Sequence, residues 1–259
     1  MKSNIHKTAV VSKKAVIAED VEIGPYSIIG DDVILKKGAS IGSHVNIFRN
    51  TEIGENSKIY PFSSLGTEPQ DLKYKGERTF LKIGKDTVVR EHCDFNLSTG
   101  EGETTLIGDN CLIMAYSHVA HNCVIGNSVV IANVCQLAGH VSVDDFAIIG
   151  GLVGVHQFCR IGKYSMTGAF ARIKKDVIPF AVVDEDSHTI RTFNHIGMKR
   201  RGFSEKDIET VKEMFRLLFH ASNNTSQAIE AIESTLPADD PNVNLVVSFI
   251  KNTQRGIIK

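Results

Sequence analysis

Cys111-Leu-Ile-Met-Ala-Tyr-Ser-His-Val-Ala-His-Asn-Cys-Val-Ile-Gly-Asn-Ser-Val-Val-Ile131 repeats one phrase every six residues. An aliphatic stands at Ile113, Val119, Ile125 and Ile131, and a small residue two places earlier, at Cys111, Ser117, Cys123 and Val129. A period of six fits neither the 3.6-residue helix nor the two-residue alternation of a plain strand. It fits a solenoid in which three sides of six residues close one coil. The aliphatic column runs from Ile5 to Ile173, and 24 of its 29 positions are Ile, Leu or Val, too many for chance alternation in a sandwich. The small column includes Ala9, Ala15, Ala39, Ser57, Ala147 and Ala171. A large and a small residue, both pointing inward, fill a narrow triangular prism. Glycine follows the aliphatic at Gly24, Gly42, Gly54, Gly108, Gly126 and Gly150, which reads as a tight turn using glycine's freedom. Nine to ten coils at about 4.8 Å give a prism roughly 45 Å long.

A length of 259 residues suits one or two domains. The net charge of −1 leaves no global nucleic-acid footprint. No apolar run is long enough to span a membrane, and Met1-Lys-Ser-Asn-Ile-His-Lys-Thr-Ala-Val-Val11 has no signal-peptide apolar region. A cytoplasmic location is expected. All five cysteines fall in the small inward column. They read as reduced core fillers rather than disulfides or metal ligands.

Two polar segments interrupt the column. Asp71 and Glu77 occupy it in one, Glu101 in the other. Loops are expected near 67–80 and 98–104, and loops on a repeat scaffold commonly build its binding face. The β-solenoid is expected over 1–183, ending with Val177-Ile-Pro-Phe-Ala-Val-Val183. An α-helical domain follows over 184–259. Ser204-Glu-Lys-Asp207 has the form of a capping box, and Ile208, Val211, Met214, Phe215 and Leu218 follow at helical spacing. Asn223-Asn224 is expected to end that helix. A short helix over 226–236 precedes Pro237, and Pro241 opens a last one. This apolar stripe is expected to pack on the open end of the prism or on a neighbouring subunit.

Four of the ten histidines lie in one block, His118, His121, His140 and His156, all off both inward columns and therefore outward. With a coil of eighteen residues, Gly139 stacks on His121 and Gln157 on Gly139. Three readings compete for this strip: a solvated surface, a zinc site built by imidazoles from adjacent coils or subunits, and a general base. Imidazole titrates near neutrality, so it can take a hydroxyl proton and return it. A backbone N–H beside it can hold a developing oxyanion.

Gln70-Asp-Leu-Lys-Tyr-Lys-Gly-Glu77, His118-Val-Ala-His-Asn-Cys123, Leu137-Ala-Gly-His140, His156-Gln-Phe-Cys159 and Asn194-His-Ile-Gly-Met-Lys-Arg-Arg201 resemble the acyl-carrier-protein–UDP-N-acetylglucosamine O-acyltransferases of lipid A synthesis, a family of hexapeptide-repeat acyltransferases. The resemblance covers essentially the whole chain, including Thr253-Gln-Arg-Gly256. It implies an all-β left-handed parallel β-helix followed by a small α-helical domain, and a homotrimer with active sites between subunits. It implies transfer of a 3-hydroxyacyl chain from acyl carrier protein to the sugar 3-position, with no metal or diffusible cofactor. By resemblance, His121 is the general base and the Gly139 N–H holds the oxyanion. Asp71 and Lys73 hold the sugar nucleotide. His118, His140, His156, Gln157 and Asn194 are other substrate contacts, and Arg200 and Arg201 meet phosphates. Ala169, after Gly168, gauges acyl length.

Three departures stand out. Asn122 follows the base where relatives often carry Asp, Asn96-Leu-Ser-Thr99 replaces a His-Arg-Gly-Thr stretch, and Ile196 falls where some relatives use Glu. Some members acylate a 3-amino sugar, which leaves the acceptor atom open. Lys163, Arg172, Lys174, Lys175, Lys199 and Arg200 are candidates for docking an acidic carrier protein. The alternatives are the UDP-3-acylglucosamine N-acyltransferase of the same pathway, which carries a domain before its solenoid, and a non-catalytic hexapeptide scaffold.

Overall fold

The computed structural model describes residues 3–185, 189–219 and 224–259. The chain forms a left-handed parallel β-helix followed by helices. Each coil lays one short strand on each of three faces. The first face begins at Asn4–Ile5, the second at Val10–Val11 and the third at Val16–Ile17. Like sits on like: Ile113 pairs with Ile131, Val119 with Leu137 and Ile125 with Val143. The aliphatic column is therefore one continuous core, and Phe95 and Thr167 are buried within it.

The cysteines pack inside as read. Cys111 Sγ donates to the Gly126 carbonyl at 3.1 Å and Cys135 Sγ to the Gly150 carbonyl at 3.0 Å. Burial pushes the Cys93 and Cys123 thiols up to about 12, which keeps them protonated and inert.

The glycine reading needs correction. The left-handed corner position falls three residues after the aliphatic, on residues such as Asn110 (φ 56°), Tyr116 (64°) and Asn122 (58°). The glycine directly after the aliphatic is needed for close approach instead. A Cβ on Gly24 would meet the Gly42 backbone at 2.7 Å, and one on Gly54 the Gly84 backbone at 2.3 Å. Only a hydrogen fits between stacked coils there.

Both interruptions leave the corner between the second and third faces. Ile59 pairs with Val89, thirty residues on instead of eighteen, so two hexads are extruded. Val89 pairs with Ile113, twenty-four residues on, so one more is extruded. The prism is correspondingly shorter than the unbroken count implied, and its second face has nine strands.

The helices are α1 (His195–Arg200), α2 (Glu205–Leu218), α3 (Thr225–Thr235) and α4 (Pro241–Lys251). The Ser204–Asp207 capping box is present on α2. Asn223 lies outside the described residues. Asn224 does not end α2, which stops at Leu218. It caps α3, accepting from the Gln227 N–H at 2.9 Å. The tail packs on the last coils: Phe203 meets Tyr164 edge-on at 5.1 Å, and the Arg160 guanidinium lies 4.0 Å from the Phe249 ring.

Candidate functional site

The corner that extrudes the loops also carries the histidines. Val119, Leu137 and Val155 pair in register on the second face, which stacks the corner residues that follow them. His121, Gly139 and Gln157 therefore form a vertical strip, as the coil length predicted. A Cβ on Gly139 would lie 2.5 Å from His121 Cε1 and 2.6 Å from Nε2, so only glycine lets the ring stand there. The His140 ring meets His121 edge-on at 5.2 Å and stacks on Phe158 at 4.7 Å. A cleft of about 600 Å³ takes in His118, His121, Gly139, His156 and Gln157.

The tautomer of His121 follows from its neighbours. Asn122 Oδ1 accepts from the Thr99 N–H at 3.0 Å and from Thr99 Oγ1 at 2.8 Å, while Asn122 Nδ2 donates to the Thr99 carbonyl at 3.0 Å. A backbone donor and a backbone acceptor thus fix which end of the amide is oxygen. That oxygen lies 2.8 Å from His121 Nδ1. Oδ1 can only accept, so Nδ1 carries the proton and Nε2 presents a lone pair to the cleft. Asp71 Oδ2 stands 3.9 Å from that Nε2.

Asp71 is set by its own loop, where its Oδ1 accepts from the Lys73 N–H at 2.9 Å. The two loops brace each other. Glu77 accepts from the Gly100 N–H at 3.0 Å, and Glu101 accepts from the Arg78 N–H at 3.1 Å. The Gly100 and Lys75 amides hold the Glu77 carboxyl below its usual range. Partial burial, helped by His121 alongside, lowers His140 from its usual value.

His118 has a different holder. Its Nδ1 lies 3.0 Å from Asp94 Oδ2, and Thr67 Oγ1 donates to Asp94 Oδ1 at 3.1 Å. Thr99, Asp94, Glu77 and Glu101 were not assigned roles from sequence. The extruded hexads displace the eighteen-residue register that would have pointed to the first two.

The remaining candidates lie elsewhere in the chain. Arg200, Arg201 and Ile196 line a separate cleft of about 570 Å³ on the first face, with Met166 and Val182. Arg201 stacks its guanidinium 4.4 Å from the Phe146 ring. The Asn194 amide is engaged in capping α1: it accepts from the Gly197 N–H at 3.0 Å and donates to the Tyr164 carbonyl at 2.9 Å. Its predicted role as a direct substrate contact thus competes with a structural one. Gly168 and Ala169 sit on the corner between the first and second faces, outside the His121 cleft. Of the candidate docking cations, Lys163 pairs with Asp145 at 3.3 Å and Lys199 with Glu205 at 3.3 Å. Arg172, Lys174 and Lys175 line a basic hollow beside the chain's end. Among the described residues, no helix is long and apolar enough to cross a membrane, and no group of three His, Cys, Asp or Glu could hold a metal ion.

The model of domain 2 of UDP-N-acetylglucosamine O-acyltransferase matches residues 176–258, and the bacterial transferase hexapeptide model matches 3–49 and 104–139. The acyl-[acyl-carrier-protein]–UDP-N-acetylglucosamine O-acyltransferase of Paracidovorax citrulli is 50% identical over 99% of this chain and 100% of its own. The chain belongs to the UDP-N-acetylglucosamine O-acyltransferase family. The Akkermansia muciniphila member is 51% identical over 97% of this chain and 98% of its own. Among solved family structures, LpxA from Acinetobacter baumannii superposes with a TM-score of 0.95 at 39% identity, covering 98% of this chain and 99% of that one. The Arabidopsis enzyme gives 0.86 at 31%, covering 98% and 100%.

Proposed function

We propose that the chain transfers a 3-hydroxyacyl group from acyl carrier protein to the 3-hydroxyl of UDP-N-acetylglucosamine, the opening step of lipid A synthesis. The observation that carries this reading is the His121 lone pair, fixed on Nε2 through Asn122 and aimed beside Gly139 and Asp71. Nε2 takes the proton of the sugar hydroxyl as its oxygen attacks the thioester carbonyl. The Gly139 N–H, which meets no acceptor among the described residues, holds the oxyanion. The tetrahedral intermediate collapses, the C–S bond breaks, and the imidazolium returns its proton to the leaving thiolate. The step balances with these groups alone and calls for no metal or redox cofactor. Asp71 and Lys73 hold the sugar, with His118, His140, His156 and Gln157 along the cleft.

The site takes its second wall from another copy in a homotrimer. Arg200 and Arg201 line a different cleft, on the first face, which suits a substrate held at His121 of one copy and met by the arginines of another. Leu72, beside Asp71 on the loop tip, is fully exposed. Along the first corner Tyr26, His44, Phe62, His92 and Tyr116 stack ring on ring at 4.6 to 5.1 Å and face outward. Such a stripe suits burial against a like chain. Ala169, on the same corner, then gauges the acyl chain from the neighbouring copy. Protonated buried thiols and the lack of a spanning helix among the described residues are compatible with a cytoplasmic enzyme.

The test is acyl transfer from 3-hydroxyacyl carrier proteins of several lengths to UDP-N-acetylglucosamine and to its 3-amino analogue, with sedimentation of the same sample. The proposal expects turnover of the hydroxyl acceptor by a trimer. Turnover of the amino analogue alone, or no transfer to either by folded protein, refutes it.

A further inference from the structure

The last residues of the chain line a hollow that shares Arg172 and Lys174 with the His121 cleft, and Arg255 touches His156 at the rim of that cleft. Asp176, fully buried, binds the tail from three sides. Its N–H donates to the Gly256 carbonyl at 2.9 Å, its carbonyl accepts from the Ile258 N–H at 2.9 Å, and its Oδ2 accepts from Thr253 Oγ1 at 2.7 Å. Ile257 and Ile258 are buried beside it. This anchoring projects Arg255 toward the upper end of the strip. Arg255 Nη2 donates to the Lys174 carbonyl at 3.3 Å and lies 3.1 Å from His156 Nδ1. No carboxylate pairs with Arg255 among the described residues.

His156 Nδ1 has two neighbours that ask opposite things of it. The Gln157 carbonyl, at 3.1 Å, would accept a proton from it. The Arg255 guanidinium can only donate, so it needs a bare lone pair. The two cannot be served at once. A hydrogen bond from a charged donor is about twice as strong as a neutral one, and an Nδ1–H would point at the N–H of the guanidinium. Arg255 therefore wins, and the ring proton sits on Nε2. His121 and His156 then lie in one cleft with opposite tautomers. The first offers a lone pair and the second an N–H.

The geometry points to Arg255 as a positioning residue that acts through His156, fixing it as an Nε2–H donor to a phosphate oxygen of the substrate. This rests on the proposed acyl transfer to a sugar nucleotide. Arg172 and Lys174 line the same end of the cleft, which favours an anionic acceptor there. Two sources of phosphate enter the reaction, the diphosphate of the sugar nucleotide and the phosphodiester of the phosphopantetheine arm. The KM that moves identifies which one His156 meets.

The test combines a tautomer measurement with a double-mutant cycle in the full-length protein. In ¹⁵N NMR of the resting wild type, His156 should carry its proton on Nε2. Arg255→Met, which keeps the aliphatic stem, should move it to Nδ1. The same variant should raise the KM of one substrate about tenfold while leaving kcat nearly unchanged. In a His156→Ala background, Arg255→Met should add nothing further. A wild-type proton on Nδ1 overturns the inference even if the variants do not fold. So does an Arg255→Met effect that persists undiminished without His156, or one that falls on kcat alone. The NMR result uses no substrate, so its failure leaves the acyltransferase reading intact. Absence of acyl transfer by the wild type would instead remove that reading.

Discussion

His118 and His121 sit on adjoining parts of one coil, line the same cleft, and differ in what grips them. His118 has the more familiar arrangement, with the Asp94 carboxylate at its Nδ1. His121 has only the Asn122 amide oxygen there. If the partner at Nδ1 chose the base, His118 would be it. What stands before Nε2 differs in the other sense: the His121 side has the Gly139 backbone against the ring and Asp71 at 3.9 Å. The comparison teaches that the partner on one side of an imidazole orients it, and that the surroundings on the other side carry the proposed catalytic role. An amide suffices to fix a tautomer. A base also needs a place for the oxyanion and a holder for the acceptor sugar.

Five substitutions break or sharpen this contrast. His121→Ala should lower kcat/KM about a thousandfold, within the usual worth of a general base, while the protein sediments as the wild type does. His118→Ala measured beside it should cost only about tenfold. Equal losses would erase the distinction between the two residues. Gly139→Ala should cost about a hundredfold, the scale of a displaced oxyanion donor. Its Cβ would meet the His121 ring at 2.5 Å and force the ring off Asn122. A near-normal rate would show that the close approach is not used. Asp94→Asn should change kcat/KM by about threefold or less, since an amide replaces a carboxylate that only orients His118. A loss as deep as that of His121→Ala would make the Asp94–His118 pair the catalytic dyad.

Asn122→Asp has the smallest effect at the plateau and the most specific signature. A carboxylate beside Nδ1 favours the imidazolium, so His121 would hold its proton to higher pH. As the proposed base, His121 is competent only when unprotonated. The acidic limb of the kcat/KM profile should therefore move up by about one pH unit. An unmoved limb would mean that the limb belongs to another group.

The prism and the strip were legible in the sequence because a six-residue beat is a coordinate system. It places Gly139 on His121 and all five cysteines inside. Even the loops kept the beat, since they extrude whole hexads. The same extrusions hid the holders. Asp94 lies twenty-four residues below its partner, not eighteen, and Thr99 reaches Asn122 only because its loop folds back. The acidic residues that broke the aliphatic column, Glu77 and Glu101, turned out to be braces between loops. The recurrent glycines were misjudged because periodicity cannot separate a need for positive φ from a need for space. The contact of Arg255 with His156 depends on a bridge between Asp176 and Ile257, a pairing with no repeat to announce it.

The central claim is that His121 holds its proton on Nδ1 and offers Nε2 as the base. The direct measurement is ¹⁵N NMR of the His121 ring in the resting enzyme above the acidic limb. The account predicts a protonated Nδ1 and a bare Nε2. A proton on Nε2 would contradict it, because Asn122 would then be turned the other way and the cleft would face a donor instead of a base.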